Sequence, residues 1–266
     1  MFEEFDLESH VLSVFATYGI TDRWDVNLLI PIIVTNLDIT ARAAVNNESR
    51  TDTHSFEPVA SATDPRVTQL TRSVDDSATG VGDLLLRTKY HFLDADDFDL
   101  ASGLTLRIPT GDEDDFQGIG DTTLTPFFSV SQVYGPIDLH LSTGVEINTE
   151  DLDRTRVRYG AGATYQIGAR LALLADVIGS SGVANDELSV EVPRFVNSPA
   201  GSATINATNP TDTVSSDIRT DIVDLALGIK ANFGPSAVGF ISFFVPLNDE
   251  GLRAEVIPAT GLEVSF

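Results

Sequence analysis

Apolar and polar residues alternate with a period of two along most of the chain. In the segment 137–148, Ile137 and Leu139 lie on one side of the pattern, and Asp138 and His140 lie on the other. Successive side chains of a β-strand point to opposite faces, so this pattern predicts strands with one apolar and one polar face. Helical periodicity is scarce.

The alternation predicts eleven strands. They cover residues 6–18, 24–40, 81–92, 100–110, 121–133, 137–148, 156–167, 170–179, 218–233, 237–247 and 253–266. Most are ten residues or longer, whereas strands of soluble proteins average about 5–6 residues. A tilted strand of about ten residues is long enough to cross a bilayer. Alternation alone does not say which face is wet, because a soluble barrel shows the reverse arrangement.

The predicted connections alternate between short turns and longer loops. The short ones are 19–23, 93–99, 134–136, 168–169 and 234–235, and the longer ones are 41–80, 111–120, 149–155, 180–217 and 248–252. Outer-membrane barrels have short turns at one rim and long loops at the other. We therefore predict an all-β fold, an antiparallel transmembrane up-and-down β-barrel. It forms a single domain over residues 1–266, with long extracellular loops at 41–80 and 180–217.

An odd number of strands is unusual, because single-chain bacterial barrels have an even number. We therefore expect twelve strands in the native barrel, with the first strand missing before Met1. The acidic start of the chain is no signal peptide, which agrees with a truncated sequence. The alternative is a misread strand, such as a hairpin segment within 41–80 or 180–217.

The amino-acid composition excludes some classes of partner and of structure. The chain has 40 acidic and 16 basic residues, a net charge of −24, and no cysteine. Nucleic acid is excluded as a partner because its binding depends on Lys and Arg that neutralise phosphates. The absence of cysteine excludes a disulfide scaffold and a thiol nucleophile. No apolar run approaches the roughly 20 residues of a membrane-spanning helix.

Aromatic residues cluster near the predicted short turns. The candidates for a girdle at the membrane interface are Tyr18, Trp24, Tyr90, Tyr134, Tyr165 and Phe266. Amphipathic rings favour the boundary between lipid and water. The alternative is ordinary aromatic packing at strand ends.

Several short motifs carry a resemblance. The closing segment 258–266 is similar to the C-terminal assembly signal of bacterial outer-membrane proteins. The segments 18–26, 106–112 and 246–253, with the paired Gly-X-Gly-Asp motifs at 80–83 and 118–121, resemble a family of outer-membrane transporters labelled with the phenol-degradation meta-cleavage pathway. The resemblance implies a location in the bacterial outer membrane. Its expected partners are outer-membrane lipid, lipopolysaccharide, a small-molecule solute and, through the last strand, the barrel-assembly machinery.

The polar face holds the candidate site. The position of a residue in the two-residue alternation, called its parity below, predicts which face it lies on. Parity predicts that the lumen is lined by Arg87, Lys89, Arg107, Asp138, His140, Glu146, Arg156, Arg158, Asp176, Asp224 and Lys230. It also turns several apolar side chains inward, namely Leu85, Phe127, Leu174, Ile178, Ile241, Phe243 and Val245. Two interpretations remain open: ion pairs that brace a narrow barrel, and a charge-lined path whose polarity sets selectivity.

Signals for other chemistry are weaker. The acidic loop Asp112, Glu113, Asp114 and Asp115 is a solvated loop or a loose divalent-cation site, without the glycine and glutamate spacing of an EF-hand. The Gly-X-Gly-Asp motifs precede strands, whereas a phosphate-binding loop precedes a helix.

The segment His140-Leu-Ser142 resembles the His-X-Ser-Asn-Gly segment of outer-membrane phospholipase A. Thr143 replaces its asparagine, and parity turns His140 and Ser142 away from lipid. We therefore predict no catalytic residue, no cofactor and no firm metal site.

These observations predict an outer-membrane channel or transporter for passive uptake of small, partly hydrophobic or aromatic compounds. The alternative is a structural or adhesive outer-membrane barrel with a closed lumen, acting through its long extracellular loops. An enzyme is a third hypothesis, supported by the phospholipase-like segment alone.

Overall fold

The computed structural model describes residues 2–44, 69–95, 97–184, 186–193, 211–218, 221–250 and 253–266. The strands in these ranges are β1 Phe2–Thr21, β2 Trp24–Ala44, β3 Gln69–Val81, β4 Leu84–Ala95, β5 Phe98–Ile108, β6 Thr123–Tyr134, β7 Ile137–Asn148, β8 Arg156–Ile167, β9 Leu171–Gly182, β10 Asp186–Pro193, β11 Thr211–Ile218, β12 Asp221–Asn232, β13 Ala237–Pro246 and β14 Ile257–Val264. A short 3-10 helix covers Leu152–Arg154. No helix among these residues has the length and apolar character needed to cross a membrane.

Twelve of the strands form one antiparallel sheet. Its order is β1-β2-β4-β5-β6-β7-β8-β9-β12-β13-β14, with β3 paired to β2 beside this path. Along this path each strand lies beside the next one in the chain, as in an up-and-down fold, except that β3 is passed over between β2 and β4, and β10 and β11 between β9 and β12. The prediction of an all-β, antiparallel up-and-down architecture is confirmed, and each of the eleven predicted strands is present.

The segments 41–80 and 180–217 were predicted as loops, and this is wrong for part of each. β3 pairs with the distal half of β2, from Ile32 opposite Val81 to Ala44 opposite Gln69. β10 and β11 pair with each other in a separate two-stranded sheet. β3 is mostly polar and lacks an apolar face, so its sequence has no hydrophobic alternation from which a strand could be predicted. Backbone hydrogen bonds to β2 hold it in the sheet.

A strand hidden in the two segments was the alternative to a strand before Met1, and both segments contain strands. The expectation of a missing strand was based on a count of eleven strands, and this count differs from the strands that the structure contains. Whether a further strand precedes residue 1 stays a prediction.

The chain divides into two compact units. Unit 1 consists of Met1–Thr17, Asn27–Leu86 and Arg107–Gly120, and unit 2 consists of Tyr18–Val26, Arg87–Leu106 and Asp121–Phe266. Unit 1 includes β3 and most of the connection between β5 and β6. Unit 2 includes β6 to β14.

Burial is the reverse of that in a soluble protein. Among the described residues, the buried apolar side chains are Ala101, Ala172 and Ala226. Large apolar side chains are exposed instead: Ile229 is 53% exposed and Leu262 is 63% exposed. A water-soluble monomer rarely presents contiguous apolar surface on this scale, so an apolar environment suits this face.

The register of β13 corrects one prediction about faces. Ile241, Phe243 and Val245 were predicted to point inward. Ile241 pairs with Ile229, and Phe243 pairs with Leu227, so these side chains lie on the apolar face. β13 carries apolar residues on both faces, and its sequence alone could not assign them. Backbone pairing with β12, whose two faces differ clearly, decides the register.

Candidate functional site

Cross-strand register collects charged side chains on one face of unit 2. Directly opposed residues of antiparallel strands point to the same side. Glu146 is opposite Arg156, and His140 is opposite Gly162, which in turn is opposite Asp176. The face defined in this way, called the polar face below, carries Asp138, His140, Glu146, Arg156, Arg158, Asp176, Asp224 and Lys230. Its assignment as a lumen stays a prediction.

A cavity of about 580 Å³ opens on the polar face within unit 2. Its charged lining residues are four bases and one acid, namely Arg87, Lys89, Arg156, Arg158 and Asp224. We call this space the cationic cavity. It is unusual in a chain whose acidic residues outnumber its basic residues 40 to 16.

The cations of the cavity are held in different ways. Arg158 Nε lies 2.6 Å from Glu146 Oε2, a close ion pair. Lys89 Nζ lies 3.9 Å from an Asp25 carboxylate oxygen, at the outer limit of an ion pair. Arg253, outside the strands, pairs with Asp224 and thereby offsets the single acid of the cavity lining.

Arg87 makes two contacts with uncharged groups. Its Nε donates a hydrogen bond to Thr105 Oγ1 at 3.2 Å, and its guanidinium carbon lies 5.2 Å from the centroid of the Phe127 ring. A guanidinium over an aromatic face is attracted by the ring quadrupole. Gly103 makes room for this arrangement, because a Cβ there would collide with the Phe127 ring.

His140 and Asp176 meet across the strand that separates them. His140 is in β7 and Asp176 is in β9, and β8 lies between these two strands. His140 Nε2 and Asp176 Oδ1 are nevertheless 2.6 Å apart. Gly162 lies between them in the register, and a Cβ at this position would collide with the Asp176 carboxylate. A glycine in β8 therefore lets the two side chains pair. The pair is on the polar face, away from the apolar face that a phospholipid would reach.

Arg107 was predicted to line the lumen together with the other cations, and its contacts lie in unit 1. Arg107 Nη1 is 3.5 Å from an oxygen of Asp83, whose side chain is only 3% exposed. The Asp83 carboxylate also accepts hydrogen bonds from the backbone N–H groups of Gly111 and Ile119, at 3.1 and 3.0 Å. These contacts fasten the connection between β5 and β6 to the start of β4.

The two Gly-X-Gly-Asp motifs meet at this point. A Cβ on Gly118 of the second motif would lie 2.5 Å from Asp83 Oδ1 of the first motif. The position of both motifs before strands was predicted from the sequence, but the contact between them was not. The repetition of the motif was the available signal, because a buried aspartate needs donors and a neighbouring glycine lets the backbone supply them.

Asp121, which ends the second motif, anchors a different loop within unit 2. It accepts hydrogen bonds from Asn148 Nδ2 at 2.7 Å and from Arg154 Nη1 at 3.0 Å. The hydrogen bond from Asn148, followed by the hydrogen bond and charge of Arg154, holds the pKa of the Asp121 carboxyl below its ordinary value of 3.8 against the opposing effect of burial.

The acidic loop at 112–115 forms a local turn. Asp112 Oδ1 accepts from the backbone N–H of Asp114 at 3.0 Å, and the Asp112 carbonyl accepts from Gln117 N–H at 2.8 Å. In the described ranges, no three His, Cys, Asp or Glu side chains converge as metal ligands.

Five of the predicted girdle residues lie in strands that flank short turns, and Phe266 follows β14; all six belong to unit 2. Tyr18 and Tyr134 are 74% and 58% exposed, and Trp24, Tyr90, Tyr165 and Phe266 are exposed as well. Trp24 Nε1 donates a hydrogen bond to Thr88 Oγ1 at 2.7 Å, so the indole keeps a polar partner at the surface. An interfacial role of these rings stays a prediction.

Comparison with known proteins gives a family and a number of similar structures. An outer-membrane channel from Pseudomonas putida F1 is 17% identical, with 97% of this chain and 82% of that chain covered at a TM-score of 0.50. A FadL homologue from Pseudomonas aeruginosa is 10% identical, with 91% of this chain and 60% of that chain covered at a TM-score of 0.41. No curated protein sequence matches the chain.

At 17% identity, the similarity to the Pseudomonas putida channel establishes the fold alone. The family model is stronger evidence, because it matches residues 7–190, more than half of the chain. The chain therefore belongs to the family described as "Putative MetA-pathway of phenol degradation".

Proposed function

We propose that the chain is a bacterial outer-membrane channel or transporter for passive uptake of small, partly hydrophobic or aromatic compounds. The observation that carries the proposal is the contrast between the two faces of one sheet. One face exposes large apolar side chains such as Leu227 and Ile229, and the other carries the cationic cavity. Lipid outside and a wet path inside fit this contrast.

The surroundings of such a channel belong to the same proposal. Outer-membrane lipid and lipopolysaccharide contact the apolar face. The exposed rings of Tyr18, Trp24 and Tyr134 sit at the interface, where an amphipathic ring is favoured. The closing strand β14 presents Leu262 and Val264 to the barrel-assembly machinery, together with Phe266, which follows the strand. The family and the fold of the Pseudomonas putida channel support this environment.

The competing function is a structural or adhesive barrel with a closed lumen. The β10/β11 ribbon favours it to some degree, because paired strands outside the main sheet form a surface for a partner. Single-channel recording in planar lipid bilayers separates the two functions. A channel gives discrete conductance steps, and a closed barrel passes no current.

A variant that lacks residues 194–210, the connection between β10 and β11, is the matched comparison. A channel keeps its conductance after this deletion because the strands of the main sheet are unchanged. Absence of current from correctly folded full-length protein would contradict the proposal. Swelling of proteoliposomes in neutral aromatic and aliphatic solutes then measures the preference for aromatic compounds.

A further inference from the structure

The cationic cavity combines positive charge with an aromatic ring. Four basic residues line it, and the Phe127 ring lies beneath the guanidinium of Arg87. In the described part of the chain, the contacts of Arg87 are with Thr105 and Phe127, both uncharged. Among the described residues, no carboxylate therefore offsets the charge of Arg87.

Ion pairs that stabilise the barrel account for only some of the charged side chains that line the cavity. Arg158 is neutralised at short range by Glu146, and Asp224 by Arg253. Lys89 is 3.9 Å from Asp25, a distance at which attraction is weak in water. Arg87 and Lys89 therefore keep positive potential at one end of the cavity, in a chain with a net charge of −24.

We propose that the cationic cavity is a selectivity site for small aromatic carboxylates. The inference rests on the proposed channel function and names the solute class of the same path. A carboxylate matches the planar fork of N–H donors on a guanidinium, and an aromatic ring can stack beside the Arg87–Phe127 pair. A volume of about 580 Å³ is in the range of pockets that hold small molecules.

The lining also contains polar groups suited to a carboxylate. Thr105, Ser129 and Ser180 are among its lining residues, and Ser180 Oγ is buried without a hydrogen-bond partner among the described residues. Ser180 is opposite Arg158 in the register of β8 and β9. A bound carboxylate would give this hydroxyl an acceptor beside a cation. Sodium ions and organic cations are disfavoured in the same space.

The test measures reversal potentials of the full chain in planar bilayers across gradients of sodium benzoate, sodium acetate and benzylammonium chloride. We expect the channel to favour benzoate over sodium and to exclude benzylammonium, which has a similar ring and the opposite charge. A charged cleft changes local ion concentration by roughly 10- to 1000-fold, so we expect Arg87→Gln/Lys89→Gln to lower the benzoate-to-sodium permeability ratio by about tenfold.

The matched control is Arg23→Gln/Arg170→Gln. Both residues lie in short turns, and the double variant has the same net charge as the test variant. We expect it to keep the benzoate preference. An equal fall in both double variants would assign the selectivity to overall charge and overturn the inference.

Phe127→Leu tests the aromatic part and does not depend on folding of the charge variants. It keeps every cation of the cavity, so we expect anion selectivity to remain and the preference for benzoate over acetate to fall. A conducting wild-type channel without benzoate preference overturns the inference and leaves the channel function intact. A folded wild-type protein that passes no current overturns the channel function itself.

Discussion

At the scale of single residues, neighbouring positions in one strand face different surroundings. Leu86 is 41% exposed, and the next residue, Arg87, lines the cationic cavity. The same substitution chemistry therefore has opposite consequences at the two positions.

We expect Leu86→Arg to destabilise the protein much more than Arg87→Leu. An arginine aimed at the bilayer midplane costs about 2–4 kcal/mol. Arg87→Leu loses a hydrogen bond to Thr105 and a ring contact, together about 1–2 kcal/mol. Urea unfolding in lipid vesicles, followed by the fluorescence of the single Trp24, measures both. A larger loss of stability in Arg87→Leu than in Leu86→Arg would mean that the face of β4 assigned to lipid is the wrong one.

A second residue prediction concerns pH. Hydrogen bonds from Asn148 and then Arg154 hold the pKa of Asp121 below its ordinary value, so its ionised form stabilises the folded state. This contribution is present above the unfolded-state pKa of about 4 and is lost as the pH falls through the lower folded-state pKa. A comparison of two proteins that differ only at Asp121 isolates this contribution.

The difference in unfolding free energy between wild type and Asp121→Asn supplies that measurement. We expect wild type to be the more stable protein near neutral pH, and the difference to shrink below about pH 4. A difference that grows as the pH falls would contradict the lowered pKa.

At the scale of elements, the connection between β5 and β6 depends on one carboxylate. Asp83 accepts from the N–H groups of Gly111 and Ile119 and contacts Arg107. Removal of a buried acceptor costs about 1–3 kcal/mol for the donors left behind. A loop that loses such anchors opens locally more often than the strands beside it.

We therefore expect Asp83→Ala to make this connection sensitive to a glutamate-specific protease. Glu113 is exposed within it, and cleavage there is detected by mass spectrometry of the fragments. Asp94→Ala, at an exposed position near the end of β4, is the control and should leave cleavage at Glu113 unchanged. Equal cleavage of both variants would contradict the proposal that Asp83 anchors this connection.

Gly162 provides a second element-scale test, at the point where its strand β8 lies between His140 of β7 and Asp176 of β9. Gly162→Ala forces His140 and Asp176 apart, so we expect a loss of about 1–3 kcal/mol. Gly19→Ala is the matched control, because the nearest atom to its added Cβ is 3.8 Å away. In a His140→Ala/Asp176→Ala background, Gly162→Ala should cost little, and an undiminished cost would place the strain elsewhere.

At the scale of the whole molecule, exposed apolar side chains and small buried ones set the behaviour in solution. The buried apolar residues of the described chain are alanines, so no large apolar core stabilises the protein in water. We expect the protein to be extracted from membranes only by detergent and to migrate differently on gels before and after boiling. Clean solubility in buffer would contradict the proposed environment.

Much of the fold could be predicted from the sequence because most of its strands alternate between apolar and polar residues. The strands at 137–148 and 156–167 have the predicted bounds, since each has one apolar and one polar face. β3 could not be predicted in this way, because a mostly polar strand is held by the backbone ladder to β2. Of the candidate site, parity indicated the polar face of β7 to β9 and β12, but it could not supply the side-chain contacts.

The sequence by itself therefore determined the element type, the approximate position of eleven strands and the two faces of each alternating strand, because period-two patterning is a local property. Only the tertiary structure decided the face of β13, the meeting of the two Gly-X-Gly-Asp motifs and the contact of Arg107 with Asp83. Each of these depends on register and on contacts between residues distant in the chain. Backbone hydrogen bonding sets that register, and it leaves no periodic signal where both faces of a strand are apolar or both are polar.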